Sequence, residues 1–341
     1  RLDGRGACDH RHITVEFGTD QGVVIVSFGD TKVLASSTAE LTKPNPRRPS
    51  EGILNVKLTF TPMSSNHHYV GGRNFERIKE LRRQLDHSIR VATIDLELLC
   101  VAPEKAAWKI SMHFTVLNDD GNVSGCLGFA TLASLMTLKL NQTRRLEDES
   151  IEIIPVNEAC PENIRLKRHP FSIPFAMFGN NAVLDPCHIE ERLKDGQLTV
   201  SISPYRELNA TNLTGGLTFR FESLMEFIEQ AALAAKRLHA ILIASIEYYN
   251  KYFDNKNWLL FDPSDPLTER SLGRSVLPTR KLDSIVVKSE PQDPLSDNWI
   301  NETKMCVKLT QFITFSSTLM RIGHHDGYSM CTLVFLFALK L

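Results

Sequence analysis

Residues 113–140 read HFTVLNDDGNVSGCLGFATLASLMTLKL, and the fold is decided there. His113–Leu117 ends in apolar and β-branched residues, as a strand does. Asn118-Asp119-Asp120-Gly121-Asn122 supplies residue types that accept a sharp reversal and a positive φ. From Gly125 to Leu140 the chain is apolar or small nearly all round, the mark of a buried helix, with Ser124 expected as its cap. A glycine-bearing turn feeding a helix N-terminus offers unpaired N–H groups to an anion. The same pattern is also ordinary punctuation between a strand and a helix. Between Asp119 and Thr131 there is no Arg, Lys or His to offset a bound phosphate.

Toward the N-terminus, Ile13–Phe17, Val23–Phe28 and Lys32–Ser37 are short β-rich runs, the last two joined by a Gly29-Asp30 hairpin turn. Gly52–Phe60 alternates in strand fashion. Arg73–Ala92 is an amphipathic helix whose apolar stripe is Ile78, Leu81, Leu85, Ile89 and Ala92. Arg83, His87 and Arg90 recur on the opposite face, and Arg73 follows Gly71-Gly72 at a loop tip. Most such charged faces are simply solvated, yet this one holds a local excess of cations that could meet phosphates. Further strands are expected at Leu96–Val101 and Trp108–Leu117.

Beyond the central helix, residues 141–163 are polar and acidic around a brief Ile151–Val156 strand, which suits a seam. Phe171–Phe178, Asn181–Leu184, Leu198–Ile202 and Gly215–Phe221 restart the strand pattern, and Glu222–Tyr252 reads as a long helix. The expected architecture is mixed α/β: two similar halves of mixed sheets packed with helices, residues 1–145 and 146–253. A tail, 254–341, is expected to be mostly disordered, being rich in Pro, Ser and alternating charge from Asp262 to Asp297. Within it Val287-Lys288-Ser289-Glu290 fits a small-modifier acceptor pattern centred on Lys288.

Composition sets the bounds. With 341 residues, 42% hydrophobic and 23% charged, the chain can build a sizeable core. A net charge of −1 means that any nucleic-acid site is a local patch. The 7 cysteines are scattered, without metal-ligand or redox spacing, which suits a reducing compartment and argues against a disulfide scaffold or zinc finger; neither a metal nor another cofactor is expected. The apolar run Met330–Leu339, about ten residues, is too short to span a bilayer as a helix, so no membrane partner is expected. No signal peptide opens the chain, and its start at Arg1 rather than Met leads us to expect a leading segment outside this sequence.

Several stretches together resemble the RNase PH family. Arg1-Leu-Asp-Gly-Arg5 with Asp9, Arg11, Ile13, Phe17 and Gly18 resembles its opening signature. Gly29–Leu34, Glu51–Leu54, Glu80–Arg90, Leu117–Asn122 and Val183–Pro186 with Glu190-Glu191 match later landmarks, over roughly residues 1–250. The resemblance implies two similar halves and six-member rings around an RNA channel. Within the family the chain is most similar to the exosome ring subunits that lack an active site of their own. Active members hold phosphate with a Gly-Gly-(Thr/Ser)-Arg turn and use a pair of aspartates. Here Val123 stands where the hydroxyl residue would be and Ser124 where the Arg would be, while Glu191 and Gln197 fall near the two aspartates.

The resemblance therefore implies a non-catalytic subunit that scaffolds the RNA exosome ring and guides RNA for 3′-to-5′ processing and degradation. That covers rRNA maturation and the turnover of mRNA and non-coding RNA. It implies RNA contacts by Arg73, Arg83, His87 and Arg90. Its partners would be RNA, other RNase PH-like ring subunits, cap subunits and associated exoribonucleases, in the nucleus, nucleolus and cytoplasm. The alternatives are a phosphorolytic 3′-to-5′ exoribonuclease active in its own right, and an unrelated α/β enzyme or a homologue that has left the ring.

Overall fold

The computed structural model describes residues 1, 3–64, 73–145, 151–155, 158–179, 181–215, 221–252 and 258–264. The first half runs β1 (Ile13–Phe17), β2 (Val23–Phe28), β3 (Thr31–Thr42), β4 (Ile53–Phe60), α1 (Arg73–Ser88), β5 (Cys100–Ala102), β6 (Ala106–Asn118) and α2 (Val123–Thr137). β1, β2, β3 and β6 are successively antiparallel, and β4 lies parallel outside β6. Gly29, at φ +58°, closes the expected β2–β3 hairpin. In β1 the alternation decides the faces: Ile13, Val15 and Phe17 are buried, while Thr14 and Glu16 between them are half-buried.

Short pairs follow: β7 (Lys139–Leu140), β8 (Thr143–Arg145), β9 (Ile151–Ile153) and β10 (Glu162–Asn163), joined as β7–β10 and β8–β9. The second half is β11 (Phe171–Phe178), β12 (Asn181–Leu184), α3 (His188–Leu193), β13 (Gly196–Ile202), β14 (Leu208–Gly215) and α4 (Phe221–Tyr252). Its sheet is antiparallel in the order β12-β11-β13-β14. α2 is the shared wall. It packs on β2 and β3 on one side and on β11 and α4 on the other, which explains an apolar surface all round. One continuous core runs through both halves.

Three expectations are corrected. Leu96–Val101 is not one strand: Glu97–Leu99 is a 3₁₀ turn ahead of β5. Of the strand expected at Gly215–Phe221, residues 216–220 lie outside the described residues; the strand that the structure shows before them is β14. Its weakly alternating Leu208–Gly215 is held by pairing with β13, and Phe221 already opens α4. Asn122, not Ser124, caps α2, since its Oδ1 accepts from the Gly125 N–H at 3.0 Å. The chain also does not leave the fold at residue 253. β15 (Leu259–Phe261) returns to pair antiparallel with β1, with Phe261 wholly buried. Lys288 and residues 306–341 lie outside the described residues, as does the Arg73 side chain.

Candidate functional site

The central turn is drawn against the second half. Asn122 adopts a left-handed conformation at φ 50°, and Gly121 sits at φ +86°. A Cβ on Gly121 would meet Pro186 O and Cys187 C at 2.6 Å, so only glycine fits there. The cation that the turn itself lacks arrives from Arg11. That guanidinium donates to Asp120 O at 2.9 Å, Asp120 Oδ2 at 3.1 Å and Gly121 O at 3.0 Å. It therefore binds the turn's oxygens and leaves the amides at the start of α2 to another group.

That group is a carboxylate of the chain itself. The Asn122 N–H donates to Glu191 Oε1 at 2.8 Å, and Arg77 Nη2 donates to Glu191 Oε2 at 3.0 Å. Arg77 also lies 3.5 Å from Asp119 Oδ2. Lys194 stands close by and donates to the Gln197 side-chain oxygen. Burial holds its ammonium below the ordinary lysine value, with the nearby Glu191 opposing and Arg77 adding to the shift. An N–H and a guanidinium at a helix N-terminus form an oxyanion cradle, and Glu191 from α3 fills it.

Beneath the turn lies a second cluster, made by the opening signature. Asp185, fully buried and at φ 52°, accepts from Arg5 Nη1 at 3.0 Å, from the Arg11 backbone N–H at 2.7 Å and from Arg11 Nη2 at 3.0 Å. Asn122 Nδ2 donates to the same carboxylate. Burial alone would push the Asp185 carboxyl up, but the Arg11 charge and hydrogen bonds, with His10, hold it well below the usual range. Arg1 clamps Glu190 with its Nε and Nη2, at 3.0 and 2.8 Å, and donates from Nη1 to Leu184 O at 2.8 Å. These arginines hold the N-terminus, the central turn and the start of α3 together.

The basic face of α1 is separate from this. Arg83 is exposed and chelates Glu80 at 2.8 and 2.7 Å, and that contact is the main cause of the lowered Glu80 carboxyl. Arg90, in the π-helical turn Ile89–Thr93 that ends the helix, pairs with Asp86 at 2.9 Å and donates to Leu54 O at 2.8 Å. His87 lies between them, half-buried, while Leu85 and Ile89 are buried on the other side. The structure thus places Arg83, His87 and Arg90 on one outward face.

Sequence reasoning did not single out Arg77 and missed its partnership with Glu191 and Asn122. The available signal was Glu190-Glu191 opening a short helix with no basic residue before Arg192. The helix N-terminus favours both carboxylates, but Glu190 takes the Cys187 N–H, which leaves Glu191 to a partner from elsewhere. Among the described residues, no group of three or more His, Cys, Asp or Glu is placed to hold a metal, and no helix is long and apolar enough to cross a membrane.

Residues 9–141 match the 3′ exoribonuclease family (RNase PH), domain 1, and residues 169–233 match its domain 2. Exosome complex component Rrp42 of Pyrococcus furiosus is 30% identical over 255 residues, which cover 73% of this chain and 90% of that protein. Exosome complex component RRP45 of Danio rerio is 28% identical over 308 residues, covering 89% and 76%. The human RRP45 is 29% identical, and the match spans 56% of its length. Among solved structures, an Archaeoglobus fulgidus exosome with RNA bound to the active site shares the fold at a TM-score of 0.60 and 23% identity, covering 70% of this chain and 91% of that one. Rice Rrp46 shares it at 0.54 and 18%, covering 72% and 99%. Two matched domains and the extended likeness to Rrp42 lead to one conclusion: the chain belongs to the RNase PH family.

Proposed function

We propose that this chain is a non-catalytic subunit of an RNA exosome ring, which scaffolds the ring and guides RNA toward 3′-to-5′ processing and degradation. Its relatives named as exosome components support the ring role. The observation that carries the non-catalytic reading is the Glu191 carboxylate seated on the Asn122 N–H and Arg77. Phosphorolysis needs inorganic phosphate held in line with the terminal bond by N–H donors and a cation. Here a negative side chain occupies the donor and Ser124 brings no charge. Gln197 cannot ionise to assist the leaving 3′ oxygen. Losing one such contact costs roughly two to three orders of magnitude in rate, and this chain lacks several.

In this reading Arg83, His87, Arg90 and the loop-tip Arg73 face RNA. The partners are neighbouring ring subunits, cap subunits and associated exoribonucleases, in nucleus, nucleolus and cytoplasm, and Lys288 is a modifier acceptor. The test is poly(A) RNA with the purified chain, with and without phosphate, followed by a search for nucleoside diphosphates. None is expected. Phosphate-dependent diphosphate release that disappears in Glu191→Ala would mean that the chain is a phosphorolytic exoribonuclease after all.

A further inference from the structure

The second half carries an aromatic platform that the site above does not use. Tyr205 sits at the tip of the β13–β14 hairpin and is 77% exposed. The tip is tightly closed. Ser203 N–H donates to Glu207 O at 2.9 Å, Arg206 N–H to Ser203 O at 3.0 Å, and Tyr205 N–H to Ser203 Oγ at 3.3 Å. Arg206 takes φ +64° to complete the turn.

A row of rings holds the tyrosine from behind. Phe129 and Phe171, both in the core, lie 6.2 Å apart between centroids; Phe171 meets His239 edge-on at 6.3 Å, and His239 meets Tyr205 at 6.4 Å. His169 stacks on His239 at 5.3 Å, with 3.2 Å between Nδ1 and Nε2. A large ring that touches His239 on one side and is otherwise open to solvent offers a free face for stacking.

The surroundings are cationic. Arg206 beside it is exposed, as are Lys236, one turn before His239 on α4, and Lys167. Arg168 reaches the hairpin through its ion pair with Glu207 at 2.8 Å. The segment that carries Lys167 and Arg168 is tied to the end of α1, since the Lys167 N–H donates to Thr93 O at 2.8 Å.

We propose that Tyr205, flanked by Arg206, Arg168 and Lys236, is a stacking site for one base of single-stranded RNA, with phosphates on the cations. Aromatic stacking with cations alongside is how proteins grip single strands without reading sequence. The site extends the RNA-guiding reading and does not depend on the α1 face being right.

The test uses the full chain and a labelled oligo(U) RNA, an abasic strand of equal length, and Tyr205→Ala, Tyr205→Phe and Arg83→Glu variants, each checked for an unchanged melting temperature. Tyr205→Ala is expected to weaken oligo(U) binding by about tenfold and Tyr205→Phe hardly at all, with the abasic strand indifferent to both. A 5-iodouracil oligonucleotide should crosslink to Tyr205. The Tyr205 effect should persist in the Arg83→Glu background, so loss of the α1 reading would leave it standing. Equal binding by Tyr205→Ala, an equal loss for the abasic strand, or crosslinks that all fall elsewhere would overturn the proposal. So would displacement of the RNA by an acidic peptide as effectively as by unlabelled oligo(U), because the surface would then read charge alone.

Discussion

The cluster around Asp185 and the outer face of α1 use the same chemistry, arginine on carboxylate, to opposite ends. Asp185 is fully buried and satisfied by Arg5, Arg11 and Asn122 from two other segments. Glu80 and Arg83 sit three residues apart on one helix, with side-chain exposures of 36% and 51%. The first set is desolvated: Arg5 and Arg11 share one fully buried carboxylate, with the more exposed Asp3 and Asp120 only at its rim. The second is a local, water-screened contact of the kind that contributes about 0–1 kcal/mol. An arginine that gives up so little can exchange a carboxylate for a passing phosphate. The partner's burial, not the arginine itself, separates structure from binding here.

The contrast breaks most visibly at Asp185. Asp185→Ala removes the buried carboxylate that Arg5 and Arg11 share and leaves them only the more exposed Asp3 and Asp120, and we expect a loss of about 3 kcal/mol, read as a shift of the urea midpoint. Because the folded carboxyl lies well below its ordinary value, its contribution is complete above about pH 4 and lost as pH falls below that. Wild-type stability should therefore decline steeply in that acid range. If Asp185→Ala unfolds at the wild-type midpoint, the cluster is not what joins the halves.

Glu191→Ala tests an intermediate case, a carboxylate with 10% side-chain exposure bound by an arginine with 36%. It releases one charge-assisted bond and leaves the Asn122 N–H open to water, for a loss of about 1.5 kcal/mol in the same urea titration. A loss as large as that of Asp185→Ala would move Glu191 into the buried class.

A smaller effect belongs to the His169–His239 contact. Burial lowers both imidazoles from their ordinary value near 6.5, and His239 adds to the shift of His169. The unfolded chain then takes up protons first. The stability this contact contributes is complete above about pH 6.5 and is lost as pH falls through that value. Melting temperatures between pH 8 and 5.5 should fall for wild type and flatten for His169→Gln/His239→Gln. Parallel slopes would sink the idea.

What was legible in the sequence follows from the same contrast. α2 declared itself because a helix buried on every side must be apolar on every side. The stripe of α1 declared itself because Ile78, Leu81, Leu85 and Ile89 recur at helical steps. β14 and β15 did not, because Leu208–Gly215 and Leu259–Phe261 owe their strand state to partners about 13 and 240 residues away along the chain, pairings that no local period encodes. The opening Arg1, Arg5 and Arg11 were visible as a family likeness without a role, since their partners Asp185 and Glu190 are more than 170 residues distant. The Glu191 cradle stayed hidden for the same reason. The outward cations Arg83, His87 and Arg90 were legible because one helix brings them together.

The smallest stability effect, and the sharpest test of exchangeable arginines, is expected on α1. Arg83→Glu removes one exposed pair and sets two carboxylates three residues apart, which together should cost no more than about 0.5 kcal/mol. Arg90→Glu should cost more, about 1 kcal/mol, because Arg90 also donates to the Leu54 carbonyl on the edge strand β4. For RNA both changes should act alike. On the proposed RNA-guiding role each would remove a cation able to exchange its carboxylate for a phosphate, so affinity of the assembled ring should drop whatever the sequence of the strand. The slope of log affinity against log salt should also become shallower by roughly 0.7 per lost contact. Near-silence in the melt with a clear change in salt slope is the signature of a binding arginine. An unchanged slope in both variants, with the same length of RNA protected, would mean that the α1 pairs only solvate their helix.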